Sequence, residues 1–226
     1  MLASRTTLTL CSAAAFLGTL LITVIAFWGL VGFNGARIDL ALLNTHYIQS
    51  IVGFTLNQAF LSTLGSILLA IPVARALHRI TPKGRALFLR LSMLAFVMPS
   101  LILITGIVNL FGAQSPFSHW LGDWKLFGMN GILIAHVYLN FPLATRVLYQ
   151  GYQSIPLTRE RLADQLKFTF WQRLRHVEWP AIRAQLAAVS GLIFILCFNS
   201  FAIVLTLGGG PRATTLELAI YQALKY

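Results

Sequence analysis

Charge is scarce in this chain, and negative charge is scarcer still. Only 10% of the 226 residues are charged, and Asp and Glu number 6 against 17 Lys and Arg. With 57% hydrophobic residues and a mean hydropathy of +0.75, that shortage excludes an ordinary soluble domain. The acidic residues Asp39, Asp123, Glu160, Asp164, Glu178 and Glu217 all fall outside the apolar runs. No carboxylate is therefore expected at depth in a bilayer, where a proton pump or an intramembrane protease needs one. Cysteine is nearly absent, and Cys11 and Cys197 both lie within apolar runs. That excludes a disulfide framework, and neither cysteine has a neighbour at metal-ligand spacing. No metal site, cofactor or catalytic constellation is expected. Gly208-Gly209-Gly210-Pro211 lacks both the preceding strand and the following Lys-Ser/Thr of a phosphate loop, so it reads as a turn leaving the membrane.

What fills the sequence instead is one apolar run after another. Spans are expected over about residues 8–33, 48–74, 86–111, 129–149 and 184–207, each at least as long as the roughly 20 residues a bilayer core requires. Pro72, Pro99 and Pro142 fall within them, as membrane helices tolerate. The net charge of +11 does not point to nucleic acid: 13 of the 17 cations are Arg5, the five between Arg75 and Arg90, and the seven between Arg146 and Arg183. The stretches 34–47, 114–128 and 208–215 hold three. This alternation follows the positive-inside rule and predicts a multi-pass protein with a cytoplasmic N-terminus and basic loops facing lipid headgroups. The first run is too long for the apolar part of a cleaved signal, so it reads as an uncleaved span. Trp28, Phe33, Trp120 and Trp124 suit interfacial positions. The final LELAIYQALKY is too short and polar for a span; Leu216, Ile220 and Ala223 share a face, which predicts an external interfacial helix within 208–226.

The one long polar segment is Thr158 to Pro180, TRERLADQLKFTFWQRLRHVEWP. Thr158 is expected to cap a short helix with Glu160 in its first turn. Thr169 and Gln172 have capping-box spacing and open a second short helix, which Pro180 closes. By charge alone, such a loop need only touch headgroups. Its spacing carries more. Arg161-Leu162-Ala163, three residues, Lys167, nine residues, then Val177-Glu178-Trp179-Pro180 resembles the EAA loop of binding-protein-dependent ABC importer permeases, E-A-A, G and I-x-L-P. Arg161, Leu162, Lys167 and Trp179 depart from that pattern. LTLGGGPRATTLELAIYQALKY over 205–226, GILIAHVYLNFPLATR over 131–146, and the words VEWP and LCFNSFA are similar to the thiamine-importing members. The resemblance runs from about Gln58 onward.

The resemblance implies an all-α polytopic helical bundle of the type I ABC importer permease kind, five spans plus a cytoplasmic coupling loop, in a single domain over 1–226. It places the chain in the bacterial inner membrane as an incomplete, non-enzymatic permease subunit whose missing C-terminal half repeats the architecture. Its other partners are ABC ATPase subunits on the cytoplasmic side, a periplasmic substrate-binding protein and membrane lipid. ATPase coupling falls to Arg159, Glu160, Arg161, Leu162, Ala163, Lys167, Val177 and Pro180. Gly208, Gly209 and Gly210 lie near the external gate, and His136, Asn140 and Asn199 are the remaining pathway candidates. His136 and Asn140, four residues apart, share a helix face and either line a pathway or make an interhelical hydrogen bond. The implied cargo is thiamine or its phosphates, moved by alternating access. Ferric-iron permeases, with a similar GG-x-P-x-x-TTLE segment, are the runner-up, and a lipid-binding membrane scaffold the alternative from another class. At Lys167 the family's glycine is missing, yet the Thr169 cap predicts that the helix still breaks there.

Overall fold

A computed structural model describes residues 16–26, 28–29, 46–79, 82–116, 124–210 and 213–225. They fall in two units, Met1–Ile48 and Gln49–Tyr226. In the first, α1 (Phe16–Ala26) is a short apolar helix. The ends of the expected first span, together with Cys11, Phe33 and residues 30–45, lie outside the described residues, as does Trp120.

The second unit is helical at every regular element: α2 (His46–Arg79, which begins in the first unit), α3 (Pro82–Val97), α4 (Ser100–Phe111), α5 (Met129–Gln153), α6 (Leu157–Gln165), α7 (Phe170–Arg173), a π-turn (Leu174–Glu178), α8 (Trp179–Phe198), α9 (Phe201–Leu207) and α10 (Leu216–Lys225). Among the described residues three helices are long and apolar enough to cross a membrane: α2, α5 and the continuous Phe170–Phe198. The expected third span is broken at Pro99 into α3 and α4, bent by 101°, and counts as a fourth only if the pair is one span. Pro99 is the N-cap of α4, because a proline there loses no helical hydrogen bond. Pro72 and Pro142, by contrast, sit inside unbroken helices.

The inside of this unit reverses that of a water-soluble bundle. On α2 the buried residues include Thr55, Gln58, Ala59, Ser62, Thr63 and Ser66, while Leu56, Phe60, Leu61, Leu64, Leu68 and Leu69 are exposed. Small and polar residues let helices approach and hydrogen-bond when hydrocarbon solvates the outside. Gly65 illustrates the approach: a Cβ there would lie 3.0 Å from Val137 of α5.

Two apolar clusters organise the packing. One gathers Leu77, Leu148, Tyr152, Ala163, Val177 and Ile182 at the basic end. The other gathers Leu103, Ile107, Ile132, Ile203, Leu207 and Leu218. Helix α5 contributes to both.

Candidate functional site

The sequence of α6 and α7 folds as a break, and hydrogen bonding shows why. Lys167 has φ +49, the only non-glycine positive φ among the described residues. Its N–H donates to Asp164 O at 3.0 Å and the N–H of Phe168 to Ala163 O at 3.0 Å. That pair of bonds is a Schellman motif with Lys167 in the position that glycine usually takes. Phe168 packs against the apolar cluster that contains Ala163, which anchors the turn despite the Cβ. Thr169 then forms the capping box with Gln172, whose side chain accepts from Thr169 N at 2.8 Å.

Two expectations for this segment fail. Thr158 is not a cap: α6 begins at Leu157 with Pro156 before it and no side-chain cap bond. Pro180 closes nothing. It lies in the first turn of α8, directly after the π-turn, and the second short helix runs straight through it into a span. The junction is the π-turn Leu174–Glu178. One extra residue per turn shifts the helical phase by about 100°, and both Val177 and Glu178 become buried.

Glu178 is the residue that charge counting missed. Its carboxylate, 6% exposed, accepts from Arg75 Nε at 2.8 Å and Arg75 Nη2 at 2.9 Å, and Arg79 Nη2 lies 3.5 Å away. The Arg75 guanidinium also lies over the Phe170 ring, 4.3 Å from its centroid. Beside this pair, His78 Nε2 is 2.8 Å from Glu160 Oε1, and the His78 ring stacks on Tyr152 with centroids 5.9 Å apart. The last two turns of α2 are thus tied to both arms of the polar segment Thr158–Pro180, hereafter the knob: to α6 through Glu160 and to the π-turn through Glu178. A cavity of about 300 Å³ lies among these groups, with Arg173 on its wall. Arg173 itself donates to Asp164 at 2.9 Å, which joins the two arms to each other.

The coupling candidates divide by burial. Ala163 and Val177 point into the unit, whereas Arg159, Arg161, Leu162, Lys167 and Pro180 are exposed and Glu160 is half-buried. Ala163 is therefore a packing residue and not a contact surface. Leu162, Leu166 and Trp171 are exposed apolar residues of this segment.

The pathway candidates separate into two places. Gly208, Gly209 and Gly210 meet Phe54, Phe127 and Gly128 around a cavity of about 430 Å³ at the start of α5. Gly209 has φ +69, and a Cβ there would sit 2.7 Å from the Phe127 Cβ, so only glycine fits. Gly128 N donates to Leu207 O at 2.7 Å and closes this end. About 12 Å further along α5, at about 1.5 Å per residue, His136, Asn140 and Asn199 share a second cavity of about 460 Å³. Here Ser62 hydrogen-bonds His136 Nδ1 at 3.0 Å, Gln58 donates to Cys197 O at 2.9 Å, and Asn140 donates to His136 O at 2.9 Å. The interhelical hydrogen bond and the cavity wall, posed as alternatives for His136, are both present.

The final helix leaves Ile220 and Ala223 of its expected apolar face exposed. Leu218 is its buried residue, Ile220 and Leu224 are exposed, and Leu216 N donates to Thr55 Oγ1 at 3.1 Å. Tyr221 meets Phe201 edge-on at 5.1 Å, so α10 packs on α2 and α9 by a different face.

Residues 66–226 match the family described as binding-protein-dependent transport system inner membrane component. The chain is 44% identical over 231 residues to the thiamine transport system permease protein ThiP of Escherichia coli, covering 99% of this chain and 41% of that protein. It is also 44% identical over 187 residues to ThiP of Haemophilus influenzae, covering 80% and 35%. The chain spans about two fifths of the length of such curated relatives. Among solved structures, an amino acid ABC transporter crystallised with histidines matches with TM-score 0.55 at 17% identity, over 84% of this chain and 86% of that one, a likeness of fold. With a family match over most of its length and the fold of an ABC permease, the chain belongs to the inner-membrane components of binding-protein-dependent transport systems.

Proposed function

We propose that this chain forms part of the translocation pathway of an ABC importer for thiamine or its phosphates. The observation that carries the reading is the 44% identity with ThiP across 99% of the chain. ATP is hydrolysed by separate ATPase subunits. Their docking surface is the exposed side of the knob, with Leu162, Leu166 and Trp171 as apolar contacts and Arg159 and Arg161 at the rim. Movement of the knob reaches α2 through the Glu160–His78 hydrogen bond and the Glu178–Arg75 ion pair, hydrogen bonds to a charged group being the stronger kind.

The basic end of the bundle faces the cytoplasm and the N-terminus lies on that side, following the charge asymmetry between loops. The Gly208–Gly210 turn then faces the periplasm and a loaded binding protein, and the remainder of a permease of ThiP length supplies the other wall of the pathway. Among the described residues neither of these two cavities has an acidic residue on its wall, so selection of a cationic cargo rests on the binding protein or on that remaining part.

Uptake of labelled thiamine and labelled ferric iron by a deletion strain carrying the full-length gene tests the reading. Thiamine uptake restored without iron uptake is expected. Iron uptake alone, or neither, refutes it.

A further inference from the structure

Two arginines stand well inside apolar helices without a partner. Arg90 comes about 12 Å after the start of α3 at Pro82, and Arg146 about 10 Å before the end of α5 at Gln153, at about 1.5 Å per residue. Among the described residues neither makes a hydrogen bond, an ion pair or a ring contact. Nearby cations differ: Arg75 and Arg79 meet Glu178, and Arg85 lies over the Tyr149 ring, 5.8 Å from its centroid. Neither α3 nor α5 contains an Asp or Glu. A cation on a membrane-facing helix is costly unless something neutralises it, so the missing partner of these two is a question the fold must answer.

Between the two helices runs a groove of about 240 Å³, lined by Ser92, Met93 and Val97 of α3 and by Pro142, Leu143 and Arg146 of α5. It opens to the outside of the bundle, where Met93 and Val97 are exposed. Apart from Arg146 its wall has one polar group, the Ser92 hydroxyl, which donates within its own turn to Leu89 O at 3.0 Å. Arg90, Met93 and Val97 share a face of α3 at spacings of three and four residues, so Arg90 continues the α3 wall toward the start of that helix. Arg146 ends the α5 wall. The Arg85–Tyr149 contact sets the start of α3 beside the end of α5, which brings both arginines to the basic end of the groove. Exposed Leu87, Leu91 and Leu94 complete an outer face of α3 that hydrocarbon solvates.

An apolar slot that ends in two unpaired cations matches the anatomy of a phospholipid, and basic pockets between membrane helices bind anionic headgroups. A soluble anion has no use for the slot, and a neutral chain none for the arginines. We propose that this groove is a binding site for an anionic phospholipid of the leaflet at the basic end, with an acyl chain along Met93, Val97, Pro142 and Leu143 and the phosphate between Arg90 and Arg146. Charge-assisted hydrogen bonds from guanidinium to phosphate hold the head. A zwitterionic lipid brings its own cation to the same place and binds less well. The bound lipid ties α3 to α5 beside the Pro99 bend, whatever the cargo.

The test places the purified full-length permease–ATPase complex in phosphatidylcholine vesicles with a trace of phosphatidylglycerol that carries a photoactivatable group on its acyl chain, and maps the labelled peptides. Labelling at Met93–Val97 and Pro142–Arg146 is expected, well above that from a phosphatidylcholine probe with the same chain and unchanged by added inorganic phosphate. Arg90→Gln and Arg146→Gln should each cut the preference for phosphatidylglycerol about fivefold, which is about 1 kcal/mol per cation, and Lys at either position should retain most of it. Met93→Trp keeps both charges but fills the slot, and should abolish labelling of Val97 and Leu143; mere attraction of cations to headgroups predicts no change there. Equal labelling by the two probes, displacement by inorganic phosphate, a preference that survives the double Gln variant, or no labelling of the wild-type groove because another part of the protein covers it, overturns the proposal.

Discussion

The buried ion pair between α2 and the π-turn makes the sharpest quantitative prediction. Glu178 is 6% exposed and Arg75 17%, joined by hydrogen bonds of 2.8, 2.9 and 3.1 Å. At charge separations of about 4 Å and an effective dielectric near 20, their attraction is about 4 kcal/mol. Desolvation offsets much of that, so the net worth of the pair is small. Removing one partner alone strands the other and costs about 3 kcal/mol. Glu178→Met should cost about that much, since it leaves Arg75 and Arg79 facing each other. Arg75→Met should cost less, about 2 kcal/mol, because Arg79, 3.5 Å from the carboxylate, retains part of the pairing. The double variant should cost about 2 kcal/mol, including the lost contact of Arg75 with the Phe170 ring. The cycle then yields a coupling of about 3 kcal/mol. Thermal unfolding of the purified full-length permease reads this directly, at roughly 2 °C per kcal/mol for a chain of such size. Single-variant losses that simply add in the double variant would refute the reasoning, since the pair would then be two independent contacts.

Other predictions concern the knob, the glycine turn and the topology. Lys167→Gly relieves the left-handed strain and should stabilise by about 0.5 kcal/mol, whereas Lys167→Val should cost about 1 kcal/mol or more; both are read by the same thermal assay. Ala163→Asp buries an unpaired carboxylate and should lower stability by several kcal/mol. Trp171→Ala should leave stability unchanged and abolish copurification of the ATPase subunit. Gly209→Ala should remove transport, because its Cβ collides with Phe127 and φ +69 is strained; normal uptake would show the turn is not held as described. Among single cysteine substitutions, Gln114→Cys should react with an impermeant thiol reagent on intact cells and Arg161→Cys should not. The reverse pattern inverts the topology.

The break at Lys167 and the capping box at Thr169 were legible because both rest on local hydrogen bonding that residue spacing encodes. The cores of α2, α5 and α8 were legible as long apolar runs, although five spans were expected and the described residues hold three, or four with the bent pair. Part of what escaped the sequence has one cause. In a bilayer the outer surface is as apolar as the core, so hydrophobicity no longer tells which face is buried. That is why α2 hides Ser62 and Gln58 beneath a coat of leucine, and why Leu218 rather than Ile220 anchors α10. Pro180 misled for another reason: a proline ends a helix or begins one, and only the register of the π-turn decides. The same turn carries Glu178 inward to Arg75, a partner 103 residues away that no local pattern reveals. The iron alternative lost ground to the 44% identity with ThiP.

The central claim is that this chain serves ATP-driven thiamine import through the knob at Thr158 to Pro180. The most direct measurement reconstitutes the full-length permease with its ATPase subunits in liposomes, adds purified thiamine-binding protein, and follows labelled thiamine and phosphate release together. The account predicts thiamine accumulation only with ATP and the loaded binding protein, with ATP hydrolysis stimulated by that protein, and loss of both accumulation and stimulation in Trp171→Ala. Thiamine movement without ATP, or hydrolysis and transport unchanged in Trp171→Ala, would contradict it.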